Sequence, residues 1–212
     1  GMGSNSIVSR EGAELSHVYE VGNILMDTLR FNHNRLQRPA VMDDLKLKNG
    51  KYIVFTLNRK ALIADKENLG NMIYAMNKAA GNTPIIAVLR NNAKEVVSQL
   101  TADMADIHII DSLPYLEFGY LTAHAMGIIT DSGNVAEEAT FNNVPCITLN
   151  SYTEHIETVK QGSNILVGED ADKLEAAIKD MTGNNWKKCS LPDRWDGRTA
   201  ERIVHILLNM PG

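Results

Sequence analysis

Residues 126–139 read MGIITDSGNVAEEA, and the fold turns on how that stretch is parsed. The apolar run 126–129 has the character of a buried strand. Thr130, Asp131, Ser132 and Gly133 then interrupt it, and Val135 to Thr140 can open a helix. A strand that passes through a glycine into a helix N-terminus points free backbone N–H groups at the carboxyl edge of the strand. An anion is favoured there.

The same grammar recurs along the chain. Apolar strands are expected at 51–57 (KYIVFTL), 84–89 (PIIAVL), 107–110, 127–130, 144–149 (VPCITL) and 164–167. Helical spacing appears at 68–80, 93–100, 115–125, 135–141, 171–181 and 197–208. Strands with no polar face, alternating with helices, imply an α/β fold: a Rossmann-like, doubly wound parallel sheet covered on both faces. The first fifty residues differ. Residues 22–31 (GNILMDTLRF) form an amphipathic helix, and 35–44 are a polar connector containing a proline. The division expected is therefore a lead-in over 1–49 and the sheet domain over 50–212. Gly1 before Met2 has the look of an appended residue and takes no part in this reading.

Composition bounds the function. The chain has 212 residues, 44% of them hydrophobic, and a net charge of −5. That balance argues against nucleic acid or an anionic membrane as partner, although a helix N-terminus binds phosphate without showing in a charge count. Cys146 and Cys189 have no motif spacing and suit two reduced thiols in a cytoplasmic protein. No run approaches the ~18 apolar residues of a membrane span, and no secretory signal is visible. No G-x-G-x-x-G follows the first strand and no G-x-x-x-x-G-K-[ST] occurs, which disfavours nicotinamide and P-loop ATP chemistry. No G-x-S-x-G is present either, and Asp103, Asp106, His108 and Asp111 have no metal spacing.

Four candidates remain, two of them groups of residues and two single side chains. Ser132, with the N–H groups of Gly133 and Asn134, can cap the helix and hold a phosphate, while Glu138, one turn on, can accept from two vicinal hydroxyls such as a ribose presents. The same pattern also serves as plain capping, stabilising any helix by ~1 kcal/mol. Asn58, Arg59 and Lys60 follow the first strand at the carboxyl edge, placed for a diphosphate or simply for solvent. Phe118 can stack on a planar base or belong to the core. His155, in the polar segment 150–157, is a surface histidine or a base.

Taken together, 56-TLNRKAL-62, 115-YLEF-118, 130-TDSGNVAEEA-139, 152-YTEHIE-157 and 196-DGRTAERI-203 resemble the non-hydrolysing UDP-N-acetylglucosamine 2-epimerase family. That family has T-L-H-R-R-E-N, a Tyr-Leu-x-Phe helix, T-D-S-G-G-x-x-E-E-A, T-T-E-R-P-E and a D-G-x-A-x-x-R-I tail, in this order. The lead-in 21-VGNILMDTL-29 matches its V-G-N-x-x-x-D-T-L hinge. The resemblance covers the family's C-terminal half, one lobe of a GT-B-type two-lobe fold. It implies that the first lobe is absent here or supplied by a separate chain, and that the chain enters at the last helix of that lobe. A homodimer is another way to cover the cleft surface.

The resemblance implies a reaction without metal, nicotinamide or other cofactor, in cell-envelope polysaccharide biosynthesis. UDP-GlcNAc loses UDP across C1–C2 to give 2-acetamidoglucal, and UDP adds back to yield UDP-ManNAc. By motif position Asn58 and Arg59 lie by the diphosphate, Phe118 packs on uracil, Ser132, Gly133 and Asn134 bind the diphosphate, and Glu138 takes the ribose hydroxyls. No catalytic residue is assigned to this chain, because the carboxylates that move the C2 proton sit mainly on the first lobe.

Departures are specific. Asn58 stands for the family histidine, and Arg59, Lys60, Ala61 and Leu62 stand for Arg-Arg-Glu-Asn. Leu89 replaces a histidine, Asn150 an arginine, and His155-Ile156 an Arg-Pro pair. Asn134 replaces the second glycine of the diphosphate loop, which is tolerable at positive φ. Each lost charged contact costs ~1.5–3 kcal/mol of binding. His33, Arg59, Lys60 and His155 offset part of this loss. The expectation is weakened UDP affinity or a changed ligand, and no turnover by this chain alone. A nucleotide-sugar-binding module without catalysis and the second lobe of a GT-B glycosyltransferase are the alternatives.

Overall fold

A computed structural model describes residues 24–153 and 156–191. Helix α1 (Ile24–Asn32), a 3-10 turn (His33–Arg35) and short α2 (Val41–Asp44) lead into the sheet. Then follow β1 (Ile53–Phe55), α3 (Lys60–Ala64), α4 (Lys66–Ala80), β2 (Ile85–Val88), α5 (Asn91–Leu100), β3 (Ile107–Ile110) and α6 (Tyr115–Ala123). The second half comprises β4 (Gly127–Thr130), α7 (Gly133–Phe141), β5 (Cys146–Thr148), α8 (Ile156–Lys160), β6 (Asn164–Leu166) and α9 (Ala171–Thr182).

The strands pair in the order β3-β2-β1-β4-β5-β6, and every pair is parallel. From β3 the chain returns across the sheet to lay β4 beside β1, with Val54 opposite Ile128 and Phe55 opposite Ile129. Order reverses at this point, and the carboxyl ends of β1 and β4 border the crevice that such a reversal opens.

The period of two along each strand divides the core between two faces. Ile53, Phe55, Ile85, Ala87, Ile129 and Ile147 pack against Leu69, Met72 and Met76 of α4, Val96 of α5, and Leu174 and Ile178 of α9. Val54, Ile86, Val88, Ile128 and Cys146 pack against Met42 of α2, Leu121 of α6, and Ala136 and Ala139 of α7. Both faces are covered, which is why the strands carry no polar alternation. The turn after α4 falls on Gly81, whose φ of 59° suits a residue without Cβ.

Three local differences from the sequence reading have short sequence signals as their cause. Residues 35–44 are more than a polar connector: Val41 and Met42 are buried in the core beside Leu47. Helices α3 and α8 each span five residues, too short to display a helical period. The expected helix at 197–208, the 196–203 motif, the VGN of the lead-in and His155 lie outside the described residues.

Tyr52, fully buried just before β1, anchors α6 by donating its hydroxyl to the Leu121 carbonyl at 2.5 Å. Burial holds its phenol far above the ordinary value. Tyr52→Phe keeps the ring but leaves that carbonyl without its donor. Denaturant titration is expected to show a loss of ~1–2 kcal/mol; an unchanged midpoint would mean water reaches Leu121.

Candidate functional site

The crevice is built from the exits of β1 and β4. Thr56 and Thr130 leave the sheet side by side, both buried, with their hydroxyls 2.6 Å apart. Thr130 Oγ1 also accepts the N–H of Ser132 at 3.0 Å. Ser132, in extended conformation, is the N-cap of α7, and its Oγ accepts the N–H of Val135 at 3.4 Å. Between those two satisfied donors lie the N–H groups of Gly133 and Asn134. Among the described residues no protein acceptor takes either of them. They sit at the positive end of a nine-residue helix dipole, at the carboxyl edge of the sheet.

Asn134 does not adopt positive φ, and this corrects the condition set for it above. It lies in the first turn of α7 with its side chain exposed. Asparagine is tolerated there because a first-turn helical position leaves room for a side chain in solvent.

Asp131 joins the two exits. Its carboxylate accepts the N–H of Asn58 at 2.9 and 3.1 Å and that of Arg59 at 2.6 Å. The loop preceding α3 is thereby held to the loop preceding α7. The backbone amides of Asn58 and Arg59 are occupied, so these residues face the crevice with their side chains alone. The Asn58 side chain is exposed. Arg59 Nη1 donates to the Leu149 carbonyl and to Glu169 Oε2, both at 3.4 Å.

Glu138, just over one turn along α7, shares a narrow cleft with Asn32, His33, Tyr115 and Gly119. Loss of water, and secondarily the charge of the nearly buried Glu137, push its pKa up to about 7. Burial, and then the charge of Glu138, raise the Tyr115 phenol. Glu138 is a carboxylate held short of solvation, a state that hydroxyl donors relieve.

Phe118, on the same helix as Tyr115, is half-buried and packs against the core on the α6 side of the sheet. The fold gathers Asn58, Arg59, Ser132, Gly133 and Asn134 at one edge, with Glu138 farther along α7. Sequence reasoning placed Asp131 only among the residues that interrupt the apolar run and missed its reach to the β1 loop, since nothing local marks a contact across 73 positions. It also missed Tyr115 as the neighbour of Glu138; the i, i+3 relation to Phe118 was the available signal.

The positions where the motifs depart are settled locally. Leu89 is buried in the α4-side core. Asn150 donates Nδ2 to the Asp131 carbonyl at 3.3 Å, and its buried Oδ1 has no partner among the described residues. Both thiols are free, and burial pushes Cys146 up to about 12, leaving it inert. Among the described residues no three His, Cys, Asp or Glu side chains gather as metal ligands, and no helix is long and apolar enough to cross a membrane.

A family model described as UDP-N-acetylglucosamine 2-epimerase matches residues 3–208. A UDP-N-acetylglucosamine 2-epimerase of Methanocaldococcus jannaschii is 33% identical over 216 residues, covering 93% of this chain and 56% of that protein. A UDP-2,3-diacetamido-2,3-dideoxy-D-glucuronate 2-epimerase of Pseudomonas aeruginosa is 29% identical over 179 residues, covering 83% of this chain and 49% of that protein. The chain thus spans about half the length of the curated relatives it matches. The crystal structure of the M. jannaschii enzyme in complex with UDP-GlcNAc and UDP superposes with a TM-score of 0.73 at 33% identity, over 90% of this chain and 54% of that one. The architecture is that of one lobe of a GT-B-type fold.

Proposed function

This chain belongs to the UDP-N-acetylglucosamine 2-epimerase family, and from that premise we propose that it is the UDP-binding lobe of a nucleotide-sugar 2-epimerase. The observation that carries the reading is the pair of open N–H groups, Gly133 and Asn134, at the head of α7, with Glu138 set back along the same helix. A diphosphate fits the first feature and a ribose diol the second. The order of the two along one helix is the order of the two groups in UDP.

In the reaction we assign to the complete enzyme, a base removes the C2 proton of UDP-GlcNAc and the C1–O bond breaks. UDP departs with the bonding electrons and leaves 2-acetamidoglucal. UDP then returns to C1 while a proton reaches C2 from the other face, which gives UDP-ManNAc. The part of this chain is to stabilise the leaving diphosphate. Amide dipoles fixed in advance by the Thr56–Thr130 and Asp131 contacts need no reorganisation as charge develops. Arg59 adds a cation and Phe118 a surface for the base. The proton-moving carboxylates belong to a first lobe, carried on the same polypeptide or on a partner.

A specific observation favours a chain that binds without turning over. Asn58 offers no imidazole, Leu89 is sealed in the core, and the Asn150 amide is committed to Asp131. The full chain is therefore expected to bind UDP with micromolar-to-millimolar affinity, ~4–8 kcal/mol, and to form no UDP-ManNAc from UDP-GlcNAc. Calorimetry and proton NMR test the two halves. Absence of heat up to high-millimolar UDP defeats the binding assignment, and appearance of UDP-ManNAc defeats the inactivity.

A further inference from the structure

Resting on the UDP-binding reading, we propose that Glu169 is an intramolecular competitor for the diphosphate: its carboxylate occupies Arg59 and must yield before a phosphate can take that cation.

The placement of Glu169 is fixed by backbone. Gly168, at φ 62°, turns the chain out of β6, and its N–H is bonded to the Asn150 carbonyl at 3.0 Å. The Glu169 carbonyl accepts Asn68 Nδ2 from α4 at 3.2 Å, and Asp170 starts α9 as its N-cap. Held on both sides, the Glu169 side chain reaches back over the carboxyl ends of the strands to Arg59. The side chains meet at 3.4 Å and remain 35% and 38% exposed.

That contact is long for a charge-assisted hydrogen bond, whose usual range is ~2.7–2.9 Å. The other Arg59 bond, to the Leu149 carbonyl, is equally long. The guanidinium is thus parked on two weak acceptors, at the site edge next to the α7 N-terminus. A phosphate offers it two oxygens in a fork-matched geometry and a full negative charge. Exchange of one acceptor for the other is favourable, but only by the difference between the two. Glu169 therefore lowers affinity for anionic ligands without touching the parts of the site that hold nucleoside.

The discriminating experiment measures UDP and uridine binding to the full chain and to Glu169→Gln, Arg59→Gln and the double variant. Glu169→Gln is expected to tighten UDP roughly two- to five-fold, the scale of a partly exposed ion pair. Uridine affinity stays as in the parent, because it carries no phosphate. In the Arg59→Gln background the gain disappears. If the parent binds UDP and Glu169→Gln binds it no better, or if uridine gains equally, the competitor role is wrong while the UDP site stands. If the parent binds no UDP at all, the underlying assignment fails and this inference falls with it.

Discussion

Glu138→Ala is expected to weaken UDP binding on the order of a hundredfold, because two hydroxyl donors lose a charged acceptor at ~1.5–3 kcal/mol each, with incomplete additivity. Calorimetric titration of the full chain reads the change directly, and a variant that binds like the parent removes the ribose assignment. The effect has a pH signature. Desolvation, with Glu137 beside it, lifts the Glu138 pKa to about 7. Ribose hydroxyls favour the ionised form, so binding pulls that value down and releases a proton near neutrality. Affinity for UDP should fall as pH drops below 7. The phosphate of the ligand also titrates in this range, and Glu138→Gln is the control that reports the phosphate alone.

For the free protein the sign is opposite. A carboxyl whose folded pKa is raised contributes stability below its unfolded value near 4.5, and this is lost as pH rises through about 7. The contribution at stake is up to ~3 kcal/mol. Glu138→Gln should therefore remove that slope and be more stable than the parent at pH 8. Parallel stability curves for the two proteins between pH 5 and 8 contradict the desolvation account.

Asp131→Ala should produce the largest structural effect. One carboxylate holds two amides of the loop that opens α3, at distances down to 2.6 Å. Removing it frees the β1 loop from the β4 loop and strips the approach to α3. Charged hydrogen bonds of this kind suggest a loss of ~2–4 kcal/mol, which for a chain of this size lowers Tm by roughly 5–15 °C. Asp131→Asn, which keeps one accepting oxygen, should fall between parent and alanine variant. A melting temperature within a degree or two of the parent shows that water replaces the carboxylate without cost. Faster amide exchange at residues 58 and 59 alone locates the effect in the tie rather than in the core.

The architecture was legible because its signal is redundant. Each of the six strands is an apolar run bounded by a helix or turn, and the structure places all six within the expected spans. Helix α4 stops at Gly81 as its glycine required. Helix α7 opens after Ser132, where hydroxyl, glycine and dipole agree. Weak signals were lost in the same places for one reason. Helices α2, α3 and α8 have four or five residues each, and burial of Val41 and Met42 depends on the sheet beneath them rather than on any repeat.

Sequence alone determined the alternation that forces a parallel sheet with two covered faces, and the strand–glycine–helix grammar that opens amides at a carboxyl edge. Both are properties of neighbours along the chain, where periodicity and backbone freedom act directly. Tertiary structure alone decided which donors remain open and what each charge faces. Asp131 consumes amides 72 and 73 residues away, Arg59 meets Glu169 across 110 residues, and Glu138 comes to lie in the cleft beside Tyr115 and His33. Hydrogen bonds and desolvation act over a few ångströms in space, whatever the separation in sequence, so the chemistry of this edge is written only once the sheet has closed.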